Sequence, residues 1–183
     1  SWKDKTTRRG ISINDKNAER AITIIGERLE PTIKENLPWE KLEKYDAIFI
    51  TATDVETLQE SRKARKLIAT PRLGIETLSK AKIKLDALIG SGLDPDEKSI
   101  GADLIIKPIL RIETAGDSGG ESWPGGHYSP IRLIEDVKDT YGCGDSFAAG
   151  VTAGLAAGFN QNQSIFIGSC LGAECATFFG PYE

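Results

Sequence analysis

The sequence predicts an α/β protein built on a mainly parallel, helix-covered sheet, and three observations carry that expectation. Between Tyr45 and Ser91, short apolar runs alternate with amphipathic ones across brief connections, the spacing of βαβ crossovers. The apolar runs are nearly continuous, as strands buried on both faces are. A content of 39% hydrophobic residues in a chain of 183 suffices for one core and a small appendage.

In chain order, Arg8 to Ile25 reads as two extended runs, RRGISI and RAITII, joined by the polar turn NDKN into a β-hairpin. The hairpin is either a flap over the body or an edge extension of its sheet. Trp39 to Lys44 suits a short helix and Tyr45 to Thr51 a buried strand. VETLQESRKARK then reads as a helix with a charged, solvated outer face, LIAT as a strand, GIETLSKAK as a second helix and KLDALIGS as another strand. ADLIIK and ILRIETAG are two more strand candidates, followed by glycine-rich turns and HYSPIRLIE. From Gly144 to Phe179 the pattern is helical, broken near Gly158 to Asn162. Its first helix, SFAAGVTAGLAAG, is small and apolar on all sides, which predicts central burial.

Charge and composition exclude several classes. With 23 basic and 27 acidic residues the formal charge is −4, which offers no general attraction to nucleic acid or anionic membrane. Cys143, Cys170 and Cys175 lack metal-type spacing, and the single histidine, His127, cannot complete a zinc cluster. Cys170 and Cys175 read as packing residues in the last helix. These features predict a protein of the reducing cytoplasm. No signal peptide opens the chain, and the uncharged stretch Ser146 to Gln163 is too short and glycine-rich to span a bilayer. The chain has no methionine, even at position 1, so an internal fragment or missing residues are expected. A Walker A pattern is absent, which sets aside the P-loop kinases.

The chemistry concentrates in DTYGCGDSF, Asp139 to Phe147. Gly142 and Gly144 allow the backbone from Tyr141 to Asp145 to take positive φ and turn successive N–H groups toward one anion. A helix starting near Gly144 adds its unpaired amides and positive dipole end. Asp145 then has two readings. It is a helix cap, or it is a carboxylate beside a phosphate nest that accepts the proton of an attacking hydroxyl.

Asp139, Thr140, Gly142, Gly144 and Asp145, as D-T-x-G-x-G-D leading into the alanine-rich helix, resemble the second signature of the ribokinase (PfkB) family of carbohydrate kinases. Cys143 stands where that family usually has alanine. The resemblance implies a ribokinase-like three-layer αβα sandwich with a mainly parallel sheet and a small β lid. It implies Asp145 as the base, and the Gly142, Cys143 and Gly144 amides as the anion hole. TAGDSG, residues 114 to 119, is similar to the family's nucleotide loop, making Thr114, Gly116 and Gly119 ATP contacts, with Ser169 near the adenine side.

DPDE sits where the family has N-x-x-E, which implies magnesium organised by Glu97 and Asp94; without the resemblance it reads as a helix-capping acidic turn. Asp139 and Thr140 match the loop that holds a monovalent cation such as K+ in several members. The hairpin resembles the lid strands, giving a lid over residues 1–30, a body over residues 31–183 and a homodimer contact through the lid, and GAECATFFGPY resembles the C-terminal helix and turn. The match covers nearly the whole chain but only the later part of the family's length, and the opening region that grips the sugar is absent. The implied activity is ATP-dependent phosphorylation of a sugar or nucleoside hydroxyl, with no nucleic acid or membrane partner. The alternatives are a non-catalytic regulatory module of the same fold and a kinase of a non-sugar acceptor such as a hydroxymethylpyrimidine.

Overall fold

The computed structural model describes residues 6–14 and 20–180. Two strands, β1 (Arg9–Asn14) and β2 (Arg20–Ile25), pair antiparallel with Ile11 opposite Thr23 and Ile13 opposite Ala21. They form a sheet of their own and do not extend the larger one. Residues 15–17 of the expected turn lie outside the described residues, as do Pro181 and Tyr182 of the expected terminal turn. Ile11, Ile13, Ile22, Ile24 and Ile25 all stay exposed, and the pairing puts some on each face of the ribbon.

A six-stranded sheet forms the body in the order β3 (Ala47–Ile50), β4 (Lys66–Ala69), β5 (Ala87–Ser91), β6 (Leu110–Thr114), β7 (Gly120–Trp123) and β8 (Gly126–Tyr128). The first four strands run parallel and the last two antiparallel. Helices α1 (Val55–Ser61) and α2 (Ile75–Ala81) cross between parallel strands, α3 (Ile100–Asp103) precedes β6, and α4 (Cys143–Ala156) and α5 (Gln161–Cys175) complete the fold.

Alternation along the strands separates two cores. Leu67, Ala69 and Leu88 pack with Leu58, Leu78 and Ala81 of α1 and α2. Ile68, Ala87, Ile89 and Ile112 pack with Phe147, Ala148, Val151 and Ile165 of α4 and α5. Successive side chains of a strand point to opposite faces, so Leu67 to Ala69 of β4 and Ala87 to Ile89 of β5 are apolar on both faces and the sheet is the middle of three layers.

Several local expectations are corrected. ADLIIK is not a strand: it spans the end of α3 and an irregular connection, with Ile105 91% exposed. β5 pairs directly with β6, which leaves no slot for another strand, and Pro108 lacks an N–H to donate. α1 stops at Ser61, and Lys66 already belongs to β4. The basic run is not simply solvated either. The Arg62 guanidinium lies 2.6 Å and the Lys66 ammonium 3.1 Å from Asp86, whose carboxylate also accepts the Leu67 N–H at 2.9 Å. Burial alone would push the Asp86 carboxyl up, but these donors outweigh it and hold its pKa below the usual carboxylate range. The glycine-rich stretch read as turns contains β7 and β8, strands too short to show a period.

Helix α4 is not centrally buried. Phe147, Ala148, Gly150, Val151 and Gly154 are covered, whereas Ala149 and Ala153 face solvent. Its small residues serve close contact with α5. A Cβ on Gly168 would stand 2.7 Å from the Phe147 carbonyl oxygen, and one on Gly150 2.7 Å from Gly168 Cα.

Candidate active site

In a parallel sheet all loops that follow strands emerge on one side, outside the carboxyl ends where open α/β sheets bind ligands. Three such loops carry the polar residues of interest. The 3₁₀ turn Pro71–Leu73 follows β4 and places Arg72. The Asp94–Glu97 turn follows β5. Thr114 ends β6, its hydroxyl 3.4 Å from the Gly90 carbonyl, and the Gly116–Ser118 turn follows. Asp145, in the first turn of α4, is near enough to Arg72 to be the least of the influences that raise its pKa.

Gly142 precedes α4 with φ +89°, the left-handed conformation that favours glycine. The amides of Cys143, Gly144 and Asp145 follow at the helix start, where no intrahelical carbonyl precedes them. Cys143 N–H makes a long 3.4 Å contact with the Thr140 carbonyl. Gly144 differs from expectation: it is helical, with no positive φ, and a Cβ there would meet nothing within 4 Å. Its missing side chain leaves room above the amides. Gly144 and Asp145 are exposed, so the helix start lies on an open face among the described residues and not in the closed cleft that central burial predicted.

Asp145 is the third helical residue. The residue in the capping position is Gly142, and no side chain caps the helix start. Asp139 supports the loop from below: one oxygen accepts Tyr141 N–H at 2.9 Å and the other Gly180 N–H at 3.2 Å. Both oxygens of the carboxylate expected at a cation thus serve as backbone acceptors, and Thr140 is exposed.

Glu97 is 5% exposed. One of its oxygens accepts from Arg72 Nε and the other accepts the Ser91 N–H at 2.9 Å. Asp94 accepts Asp96 N–H at 2.9 Å and lies 3.9 Å from an Arg72 Nη. The hydrogen bond that Arg72 donates to Glu97 leads the influences that raise the Arg72 pKa, with burial opposing it, so Arg72 is charged at any working pH. The structure therefore joins Glu97 and Asp94 through Arg72, a residue the sequence reading missed, and Asp145 is a more distant charge that makes no ion pair with it. The only signal for Arg72 was an arginine just past a strand end, paired with a carboxylate 25 positions later.

Among the described residues no three His, Cys, Asp or Glu groups gather as a metal site. With both Glu97 oxygens occupied, the residues present do not fit a directly ligated magnesium ion.

The Gly116–Gly119 loop closes on itself through Ala115 N–H to the Gly119 carbonyl at 2.7 Å. Gly119, at φ +83°, backs onto β8 so closely that a Cβ would fall 2.0 Å from the Tyr128 carbonyl oxygen. Beyond it opens a groove of about 350 Å³ between the β7–β8 hairpin and α5, lined by His127, Tyr128, Ile131, Asn162, Phe166 and Ser169 among others. Ser169 thus belongs to this groove and not to the Arg72 cluster. Gln161 holds the groove's two walls together, its amide donating to Ser122 Oγ at 3.2 Å and to the Pro124 carbonyl. The Tyr128 ring stacks on Phe147 with centroids 6.0 Å apart. Its buried hydroxyl has no partner among the described residues, and burial raises its pKa.

This layering, strand order and helix start define a ribokinase-like α/β fold. Solved structures of that class superpose on nearly the whole chain. Ribokinase of Thermotoga maritima matches 96% of this chain and 65% of its own at a TM-score of 0.71 and 21% identity. Ribokinase of Cryptococcus neoformans in complex with ADP matches 97% and 68% at 0.72 and 19%. Adenosine kinase of Schistosoma mansoni in complex with 2-fluoroadenosine matches 100% and 66% at 0.75 and 16%. In sequence, fructoselysine 6-kinase of Escherichia coli K12 is 33% identical over 76 residues, 39% of this chain and 28% of the relative. The chain thus spans about two thirds of the length of these structures, and the sequence match a smaller part of its relative. No protein-family model matches. Identities this low show a shared fold, and no helix among the described residues is long and apolar enough to cross a membrane.

Proposed function

We propose that the protein is an ATP-dependent kinase that transfers the γ-phosphoryl group to a hydroxyl of a sugar or sugar-like acceptor such as a nucleoside. One observation carries the reading: a glycine-led helix start with an exposed carboxylate in its first turn, in a fold whose parallel strands present at their carboxyl ends a guanidinium fixed by Glu97. In the step, the acceptor oxygen bonds to the γ-phosphorus as its proton passes to the Asp145 carboxylate. The bond from that phosphorus to the bridging oxygen breaks, and ADP leaves. Charge growing on the phosphoryl oxygens meets the Gly142, Cys143 and Gly144 amides and the positive end of α4. Phosphoryl transfer asks for positioning and electrostatics more than covalent chemistry, and these residues supply both.

The loop with Thr114, Gly116 and Gly119 holds the nucleotide phosphates, and the groove with Ser169 takes the rest of the nucleotide. A magnesium ion would be carried by the nucleotide phosphates themselves, and Glu97 and Asp94 would bear on it only through Arg72. A K+ ion near Asp139 and Thr140 would draw on backbone carbonyls of that loop, with the Asp139 carboxylate holding the loop in place through the Tyr141 and Gly180 amides. The isoleucine-bearing hairpin acts as a lid over the acceptor, with its second apolar face available for a homodimer contact. The setting is the cytoplasm, and no membrane or nucleic acid takes part.

The test is ADP release with ATP and magnesium against a panel of sugars, nucleosides and a hydroxymethylpyrimidine. Acceptor-dependent release with a sugar or nucleoside is expected. Release with the pyrimidine alone would replace the acceptor class, and none with any acceptor, while ATP still binds, would point to a regulatory module.

A further inference from the structure

Arg72 has an arrangement that a purely structural salt bridge does not need. Its Nε is committed to Glu97, a carboxylate 5% exposed and pinned on its other oxygen by the Ser91 amide. The guanidinium plane is thereby fixed, while 63% of the side chain remains open to solvent. Neither Nη makes a hydrogen bond among the described residues; the nearer approach to Asp94, 3.9 Å, is an ion pair too long for one. A planar donor set held by its Nε and open at its far end is suited to paired oxygens of a phosphate.

Charge points the same way. Glu97 and Asp94 together bring two carboxylates to a face that must receive a polyanion, and Arg72 is the cation that the ion-pair geometry places between them. Without it, those two carboxylates would stand unneutralised on a face whose helix start favours an anion.

We propose that the Nη groups of Arg72 contact the terminal phosphoryl group of the nucleotide, holding it between the α4 amides and Asp145. The inference rests on the phosphoryl-transfer reading and adds a residue to it: Arg72 reads the γ-phosphate, so it separates a nucleoside triphosphate from a diphosphate.

The full chain is titrated with ADP and with the non-hydrolysable β,γ-imido analogue of ATP, as wild type, Arg72→Gln, Arg72→Lys and Arg72→Gln/Glu97→Gln. The double variant removes the buried charge that Arg72→Gln would strand, so it keeps the fold testable. The expected result is analogue affinity weakened about 10- to 100-fold in both glutamine variants, the worth of one or two charged hydrogen bonds, with ADP affinity unchanged. Arg72→Lys should fall between, keeping charge but not the fork. Equal loss of both nucleotides, no loss of either, or recovery of the analogue in the folded double variant would overturn the Arg72 assignment and leave the kinase reading standing. Failure of the wild type to bind either nucleotide would overturn both.

Discussion

Replacing Asp145 by asparagine separates the two readings of that carboxylate because the structure assigns them very different magnitudes. If Asp145 were chiefly structural, its worth would come from the α4 dipole and from Arg72. A carboxylate in the exposed first turn of a helix contributes about 0.3–1 kcal/mol, and a solvent-screened attraction to Arg72, with which it forms no ion pair, no more than about 0–1 kcal/mol. It makes no capping hydrogen bond, because Gly142 occupies the capping position. The total loss is therefore under about 2 kcal/mol, or roughly 2–8 °C in Tm for a chain of this size. If it is the base, turnover falls ~10²–10⁴-fold, equivalent to about 3–5 kcal/mol of transition-state stabilisation. Asparagine keeps the shape and cannot take the proton. Thermal unfolding and ADP release on the same preparation read the two quantities independently. A loss of turnover under tenfold, or one recovered by cooling to restore the folded fraction, would refute Asp145 as the base.

Three further outcomes follow from the geometry. Gly168→Ala pushes a Cβ to 2.7 Å from the Phe147 carbonyl, so α4 and α5 must part; a loss of about 1–3 kcal/mol is expected, checked by urea unfolding, and an unchanged midpoint would contradict the tight helix contact. Gly144→Ala adds a methyl to open space in a helical residue, so stability should hold or rise by up to ~1 kcal/mol while ATP turnover falls, and undiminished turnover would place the phosphate elsewhere. Asp86, its carboxyl held low in the folded state, contributes stability that is present above the unfolded carboxylate value of about 3.9 and lost as pH falls through the lower folded value. Asp86→Asn should cost on the order of 3 kcal/mol at pH 7 and flatten the unfolding midpoint between pH 4 and pH 2, to within the error of the midpoints measured by urea titration across that range.

The sequence by itself determined the parts whose signals are local. βαβ spacing yields the parallel strands β3 to β6, because each strand buried on two faces is a continuous apolar run and each crossover needs a helix. The two isoleucine-bearing runs yield the hairpin, and the glycines around Cys143 yield a helix start suited to an anion. Where local apolarity lacked a partner, as in ADLIIK, the reading failed, since only pairing decides whether an apolar run becomes a strand. Strands as short as β7 and β8 left no period to detect. The alanine-rich helix was misjudged for a related reason: small residues signal close packing on one side as readily as burial on all sides, and only the position of Gly168 against Phe147 distinguishes them. The tertiary structure alone decided that Arg62 and Lys66 neutralise a buried Asp86 and that Arg72 gathers Glu97 and Asp94. Those partners lie far apart in sequence, and Coulomb and hydrogen-bond energies depend on distance in space, which a sequence carries only once the sheet has brought its carboxyl ends together.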